Sequence, residues 1–432
     1  MKVRVRRWRE LSEEERSRLM ARSESDVEQA MTVVQPIVKA VRQRGDSAVV
    51  EYTKQFEKAD LHRRGLVVPD EEIEAAADQL SSAVRDALDY AIENVRTFHR
   101  RQLPPAVDMQ PVRQGISAGE RATPIERVAL YVPRGRGSFP SMLYMLAVPA
   151  SLAGVPHIAV ATPPNASGEV DPACLYAAKA CGVHRVYRMG GGQAVAALAY
   201  GTESVAPVQK IVGPGSVYVA AAKRLVSHIV AVGLPAGPSE SIVLADESAD
   251  PTAVALDLMI EAEHGSDSSA LLVTPSAVLA EQVVSRIEET IPSVPEPRRG
   301  FLKDVFQGYG GVLLVETLGQ GVEVVNDYAP EHLQIQAGDP WSIAEGIVNA
   351  GEILIGSTTP FSVANYATGA NAVLPTGGTA KAWSPVSVRD FMKFTSIVAV
   401  SATGLEDLSP HVVALADYEG FHTHAEAIRR RS

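Results

Sequence analysis

The sequence predicts an α/β protein with two parallel-sheet domains and helical extensions at both ends. Short apolar strands alternate with helices from about residue 125 onward, and several of these pairs are joined by glycine-rich turns. Repeated strand–turn–helix units of this length indicate a parallel sheet covered by helices on both faces. At 432 residues the chain also exceeds the usual size of one hydrophobic core, so we expect more than one domain.

The first hundred residues are predicted to be mainly helical. Residues 25–28 have the pattern of a capped helix start, and apolar residues then recur at helical spacing from Val33 to Val41. A second helix is expected from Asp70 to Phe98, with Pro69 at its entrance.

Two α/β units follow. In the first, we expect strands over 128–132, 157–161, 185–188 and 210–212, and helices over 141–153, 172–180, 193–200 and 217–228. In the second, we expect strands over 241–245, 270–273, 311–315 and 352–355, with a helix over 251–264. The predicted domains are an N-terminal arm (1–23), a larger α/β domain (24–127 plus 241–385), an inserted nucleotide-binding-like α/β domain (128–240) and a C-terminal helical dimerisation tail (386–432).

The composition, with 46% hydrophobic and 21% charged residues, is typical of a soluble globular protein. A formal charge of −11 argues against a nucleic-acid binder, which would normally carry a basic domain. Residues 1–19 lack the apolar core of a signal peptide, and prolines interrupt the apolar run over 142–162, which disfavours a membrane span. Cys174 and Cys181 are two helical turns apart, too far for a disulfide, and are expected to be buried and reduced. We therefore expect a cytoplasmic protein without nucleic-acid or membrane partners.

Glu331 and His332 form the most informative pair in the chain. They follow Pro330, which disfavours helix at the residue before it, so we expect the pair in a loop or at the start of a new element. Glu and His are well suited to proton transfer near neutral pH. The alternative is an exposed Glu beside a His that caps a helix.

Two glycine-rich turns, over 190–193 and 213–216, each end a strand and open a helix. Helix N-termini at strand ends favour phosphate, although neither turn has the GxGxxG pattern and plain tight turns are equally consistent. Glu261 and His264 share one helix face at i and i+3, which suits a divalent metal or, alternatively, a His that interacts with the helix dipole. His422 and His424 are a second histidine pair, which could equally be surface polar residues.

Together these segments resemble histidinol dehydrogenases over nearly the whole chain. The matching motifs are Tyr131-Val132-Pro133, Pro140-Ser141, Gly191-Gly192-Gln193-Ala194, Gly213-Pro214-Gly215, Ala222-Lys223-Arg224, Ala236-Gly237-Pro238-Ser239-Glu240, Ala262-Glu263-His264-Gly265, Ala329-Pro330-Glu331-His332-Leu333, Leu374-Pro375-Thr376 and Gly420-x-x-x-His424.

The resemblance implies two Rossmann-like domains in an interlocked homodimer that uses Zn²⁺ and NAD. Such an enzyme oxidises a small-molecule alcohol, most simply L-histidinol, through the aldehyde to the acid. It implies that Glu331 and His332 transfer protons, and it assigns the other positions as follows: Tyr131, Gln193 and Ser216 to the cofactor; Glu261, His264, Asn365 and His424 to zinc; and Ser239, Glu261, His264, His332, Asn365, Glu419 and His424 to the substrate. Glu419 and His424 are expected to come from the partner subunit.

The chain departs from the family pattern at several of these positions. Glu261 stands where the family has a glutamine, and Asn365 stands where it has an aspartate, so one carboxylate and one amide remain but have exchanged places. This set still suits zinc. Ser216 replaces an asparagine, which leaves that cofactor contact open. Arg134 and Arg136 replace small residues, and they either meet a cofactor phosphate or an acidic substrate, or are solvated.

These departures leave two other functions open. One is a paralogue that oxidises a different amino alcohol or an acidic hydroxy compound. The other is a non-catalytic homologue that binds metal or nucleotide, which the intact Glu331–His332 pair disfavours.

Overall fold

The computed structural model describes residues 2–22, 27–134 and 137–431. The strands are β1 (Val5–Arg7), β2 (Val107–Arg113), β3 (Ile116–Pro124), β4 (Arg127–Tyr131), β5 (His157–Thr162), β6 (Arg185–Arg188), β7 (Lys210–Val212), β8 (Ala231–Val232), β9 (Glu240–Ala245), β10 (Ser269–Thr274), β11 (Gly311–Leu314), β12 (His332–Gln336), β13 (Glu352–Ile355) and β14 (Met392–Val400). The helices are α1 (Glu13–Ala21), α2 (Val27–Arg44), α3 (Asp46–Glu57), α4 (Asp70–Glu74), α5 (Ser82–Arg100), α6 (Pro140–Leu152), α7 (Pro172–Ala180), α8 (Gly191–Tyr200), α9 (Val217–Val226), α10 (Pro251–Ala262), α11 (Ala277–Thr290), α12 (Arg298–Gln307), α13 (Leu318–Tyr328), α14 (Pro340–Ala344), α15 (Phe361–Tyr366), α16 (Ala402–Tyr418) and α17 (His422–Arg429).

Two parallel sheets form the centres of the molecule. The first has six strands in the order β1-β11-β10-β9-β12-β13, and its inner strands β9, β10 and β12 are buried along their whole length. Helices α10, α11 and α12 cover one face and α13 covers the other. Strands buried on both faces are typical of sheets flanked by helices.

The second sheet has five strands in the order β6-β5-β4-β7-β8. Helices α5, α6 and α7 pack on one face, while α2, α3, α8 and α9 pack on the other. The predicted α/β fold is confirmed, and its strands and helices begin within a few residues of their expected positions.

The helices before residue 128 cover a different sheet from the one to which the expected domain division assigned them. That division joined residues 24–127 to the larger domain, whereas α2, α3 and α5 cover the five-stranded sheet of residues 127–232. The expected N-terminal arm contributes β1, which pairs with β11 at the edge of the six-stranded sheet. Amphipathic spacing identifies a helix but does not show which sheet its apolar face will cover.

Three local expectations differ from the structure. The helix expected over 70–98 is interrupted, because Ser81 caps the new helix α5 by accepting a hydrogen bond from the Val84 N–H at 3.3 Å. The C-terminal tail expected to be helical begins with β14, which pairs antiparallel with β3 in a three-stranded sheet. Of the helix start expected over 25–28, residues 25 and 26 lie outside the described residues, and α2 begins at Val27.

Two further expectations are that the cysteines are buried and unpaired and that no helix spans a membrane. Cys174 and Cys181 are both buried and unpaired. In the part of the chain that the structure describes, no helix combines the length and apolar character needed to cross a bilayer.

Candidate active site

The Glu331–His332 pair lies where α13 gives way to the central strand β12. Ala329 adopts a left-handed conformation with φ of 51° at the end of α13, and His332 is the first residue of β12. This irregular backbone lets two adjacent side chains turn toward one place, which a regular helix or strand would prevent. Both residues are buried, as expected for a shared pocket and not for an exposed helix cap.

Three carboxylates surround the imidazole of His332. Its Nδ1 lies 2.5 Å from Glu352 Oε1, while its Nε2 lies 3.7 Å from Glu331 Oε1 and 4.0 Å from Glu261 Oε2. Burial alone would lower the pKa of His332, but the three carboxylates outweigh it and raise that pKa to about 10. The Nδ1 contact fixes the orientation of the ring and directs Nε2 toward Glu331 and Glu261.

Glu331 is held by a backbone donor from the neighbouring strand. The N–H of Glu240 donates to Glu331 Oε2 at 3.0 Å. Burial raises the pKa of Glu331 well above its ordinary value, although the nearby His332 opposes this. A carboxyl with a raised pKa beside an imidazole is an arrangement suited to general acid–base chemistry.

The proposed zinc residues of this chain meet beside the pair. Glu261, on the last turn of α10, is fully buried, and its Oε1 accepts a hydrogen bond from Asn365 Nδ2 at 2.6 Å. Its Oε2 lies 3.3 Å from His264 Nδ1 and has no hydrogen-bond partner among the described residues. Ser239 Oγ lies 2.9 Å from the same His264 nitrogen. The structure therefore brings together Ser239, Glu261, His264 and Asn365, which are far apart in sequence.

Electrostatics at Glu261 favour its charged form. Burial raises the pKa of Glu261, but His264, His332 and the hydrogen bond from Asn365 together lower it below its ordinary value. The result is a buried carboxylate that keeps a negative charge beside two imidazoles.

The proposed cofactor residues lie at the carboxyl ends of strands in the five-stranded sheet. The hydroxyl of Tyr131, at the end of β4, accepts a hydrogen bond from the Gly191 N–H at 3.0 Å. Gln193 is fully buried in the first turn of α8, and neither atom of its amide has a partner among the described residues. Ser216 is the N-cap of α9 without a side-chain capping bond. Strand ends followed by helix N-termini favour a phosphate-containing ligand.

Of the two arginines that depart from the family pattern, Arg134 and Arg136, the structure describes only the first. Arg134 is exposed, and its guanidinium donates to the Pro164 carbonyl at 3.5 Å. Arg136 lies outside the described residues.

Glu419 and His424 lie apart from the buried cluster. Both are exposed, Glu419 at the end of α16 and His424 in α17, where its ring packs against Phe421. Across residues 2–22, 27–134 and 137–431 of one chain, no group of three or more His, Cys, Asp or Glu side chains is arranged to hold a metal ion. The contribution of Glu419 and His424 from a partner subunit stays a prediction.

Sequence reasoning missed three buried charged residues around the site, namely Glu352, Glu240 and Arg22. Glu352 lies on β13, one strand over from His332, and their register places them directly opposite each other. Glu240 is visible in the Gly-Pro-Ser-Glu motif, but only its neighbour Ser239 was assigned a role. Arg22 had no sequence signal at all.

Comparisons with known proteins match one family over nearly the whole chain. A protein-family model described as histidinol dehydrogenase matches residues 20–432. The chain is 47% identical to the histidinol dehydrogenase of Synechocystis sp., with 99% of each chain covered. It is 46% identical to a "histidinol dehydrogenase homolog" of Colwellia psychrerythraea, with 99% of this chain and 96% of that protein covered. The crystal structure of histidinol dehydrogenase from Elizabethkingia anophelis matches with a TM-score of 0.93 at 32% identity, covering 100% of this chain and 98% of that one.

Proposed function

The chain belongs to the histidinol dehydrogenase family, and on that basis we propose that it oxidises L-histidinol through the aldehyde to L-histidine with two NAD. It is an NAD-dependent oxidoreductase that acts on CH–OH groups. The observation that carries the proposal is the buried Glu331–His332 pair beside Glu261 and His264, because it joins a proton-transfer pair to a candidate metal site.

The side chains divide the chemistry between them. The neutral form of His332 accepts the alcohol proton through Nε2, while Glu352 at Nδ1 stabilises the resulting imidazolium. Because the pKa of His332 is raised to about 10, this neutral form becomes more abundant as the pH rises toward that value. Glu331 removes a proton from the water that attacks the aldehyde, for which its raised pKa makes it a suitable base. NAD, when bound, accepts one hydride in each of the two oxidations.

The residues present fit zinc. Glu261 Oε2 is a buried carboxylate oxygen without a hydrogen-bond partner among the described residues, and it lies 3.3 Å from a His264 nitrogen. Asn365 and the partner's His424 would complete a set of one carboxylate, one amide and two imidazoles, which suits zinc. Zinc, when bound, holds and orients the heteroatoms of the substrate.

The residues present also fit NAD. Gln193 is a buried amide without partners among the described residues, and it lies at a helix N-terminus close to the Tyr131 hydroxyl. Tyr131, Gln193 and Ser216 would hold the cofactor at the edge where strands β4, β6 and β7 end.

A homodimer with shared sites would explain the C-terminal tail. Tyr418 is 91% exposed, and Leu415, Phe421 and Val398 are more than half exposed. An apolar surface of this kind beside Glu419 and His424 favours a second copy of this chain as the partner, through a two-fold contact that places each tail in the other subunit's site.

The test is NADH formation by the purified protein with histidinol among a panel of alcohols. Glu331→Gln should abolish oxidation of the aldehyde, and His332→Asn should abolish oxidation of the alcohol as well. Variants that retain full turnover would contradict these assignments. As a control, both variants should elute at the size of the unaltered protein and bind NAD.

A second candidate is a family member with a different alcohol as substrate. The exchange of carboxylate and amide between Glu261 and Asn365 favours it, because the charge that faces the bound alcohol has moved. NADH formation with another amino alcohol or an acidic hydroxy compound, and none with histidinol, would support this candidate.

A further inference from the structure

A buried arginine from the N-terminal segment lies directly behind the catalytic turn. Arg22 follows α1, and its side chain is only 4% exposed. Its Nε lies 3.3 Å from Glu240 Oε1, and its guanidinium stacks 3.7 Å above the Tyr328 ring and donates to the Tyr328 carbonyl. A guanidinium in this position neutralises a buried carboxylate and satisfies the end of α13 at the same time.

The two residues that hold Arg22, Glu240 and Tyr328, are each connected to Glu331. On one side, the backbone N–H of Glu240 is the hydrogen-bond donor to Glu331 Oε2. On the other side, Tyr328 is three residues before Glu331 in the turn that carries it. The guanidinium therefore ties the backbone that bears Glu331 to the backbone that holds its carboxylate.

The side chain of Glu240 is held from a third direction. Its Oε1 accepts a hydrogen bond from the Gly377 N–H at 2.8 Å; Glu240 is the first residue of β9, and Gly377 lies in a turn. Glu240 is 4% exposed, so loss of Arg22 would leave a buried carboxylate without its cationic partner, held only by backbone N–H groups. Buried charges without a partner are costly, and the chain relieves them by moving or by admitting water.

We propose that Arg22 and Glu240 are positioning residues that fix Glu331 for the water-dependent second oxidation, and that they matter less for the first. This inference rests on the proposed function, because it takes Glu331 as the base for the attacking water. The two steps separate because His332, which serves the first step, has its own anchor in Glu352. Among the described residues, Arg22 forms no hydrogen bond or ion pair with Glu352 or His332.

The experiment compares the two oxidations in Arg22→Gln and Glu240→Gln. The first is followed as NADH formation from the alcohol with a trap for the aldehyde, and the second as NADH formation from the aldehyde itself. We expect the second rate to fall by about 10- to 100-fold, the loss associated with a misplacement of about 1 Å. The first rate should change far less. The double variant, which removes both charges, should lose less than the sum of the two single variants.

Arg188→Gln is the matched control. Arg188 is also a fully buried arginine paired with a glutamate, Glu72, but it lies in β6, in the other sheet. The Arg188→Gln variant should lower the melting temperature as Arg22→Gln does. It should leave the ratio of the alcohol and aldehyde oxidation rates unchanged. Arg22→Lys, which keeps a positive charge near Glu240, should fall between the unaltered protein and Arg22→Gln and serves if the latter does not fold.

A readout without turnover keeps this inference distinct from the proposed function. Hydrogen exchange of the peptide that contains Glu240 should accelerate in Arg22→Gln and not in Arg188→Gln. If the unaltered protein oxidises no alcohol, the proposed function fails and the exchange result still decides the positioning role. Equal losses in both oxidations, or unchanged rates with unchanged exchange, would overturn the inference.

Discussion

The contact between Glu352 and His332 makes the sharpest prediction about activity. In Glu352→Gln the carboxylate beside Nδ1 is replaced by a neutral amide of similar shape, while the backbone of β13 and its pairing with β12 need not change. Both side chains are at most 9% exposed, so water cannot replace the lost charge. We expect the alcohol oxidation, in which His332 becomes positively charged, to slow markedly.

The distance between Glu352 and His332 gives the size of the expected fall in kcat. At 2.5 Å and an effective dielectric constant of about 20, Coulomb's law gives about 7 kcal/mol between unit charges, which is an upper limit. Desolvation offsets most of it, and a hydrogen bond to a charged group contributes about 1.5–3 kcal/mol net. At about 1.4 kcal/mol for each factor of ten, kcat should fall by about 10- to 150-fold.

Steady-state kinetics of the alcohol oxidation test this value. The KM for NAD should stay nearly constant, because Tyr131 lies in the five-stranded sheet and Gln193 in helix α8, which packs on that sheet. Asp257→Asn is the matched control: Asp257 is a buried carboxylate on α10 that accepts a hydrogen bond from Gln336 and, among the described residues, forms no ion pair with His332. Full kcat in Glu352→Gln, or an equal loss in Asp257→Asn, would refute the assigned role.

The exchanged ligands, the tail and a buried lysine allow three further tests. Glu261→Gln should lower the zinc content, and adding Asn365→Asp should recover much of it, whereas purely additive losses would show that the two residues do not share a metal. Truncation after Leu415 should remove zinc and activity together, and a truncated protein that keeps tightly bound zinc would rule out the shared site. Burial lowers the pKa of Lys223 from 10.5 to about 8, so the unfolded chain binds the extra proton between these values and stability rises with pH in that window. Between pH 8 and pH 10.5 the free energy of unfolding of the unaltered protein, measured with denaturant, should rise by about 3 kcal/mol relative to that of Lys223→Met. Free energies of unfolding that change in parallel with pH in the two proteins would contradict the lowered pKa of Lys223.

Much of the fold could be predicted because the two larger sheets, of six and five strands, are parallel. Their strands are short apolar runs, and glycine or proline marks most of their ends, so strand and helix positions follow from pattern. The strand β12 was not predicted, because Gln334 and Gln336 interrupt the continuous apolar run that marks the other buried strands, although both glutamines are buried. The strand β14 was also not predicted, although Met392, Phe394, Val398 and Val400 alternate along it on one face; the strand is largely exposed in the three-stranded sheet.

The candidate site was predictable where residues share a motif and not where they meet through the fold. The resemblance identified Glu331, His332, Glu261 and His264, and the structure places these four together. Glu352 could not be predicted, because its role depends on the register between two strands. The C-terminal assignments of Glu419 and His424 stay predictions, since a single chain leaves both residues exposed.

The exchange at Glu261 and Asn365 changes where charge lies but not how much there is. The Asn365 amide donates directly to the Glu261 carboxylate, so the two positions are neighbours and the carboxylate has moved by one hydrogen bond. The moved charge now lies 4.0 Å from His332, the proposed base for the alcohol, in a site that already holds Glu331 and Glu352. Because total ligand charge is unchanged while the field at His332 is more negative, the exchange should affect the choice of alcohol more than metal affinity. Restoring Glu261→Gln and Asn365→Asp together should therefore leave zinc content nearly constant while it shifts the ranking of alcohols. An unchanged ranking would mean that specificity is set elsewhere.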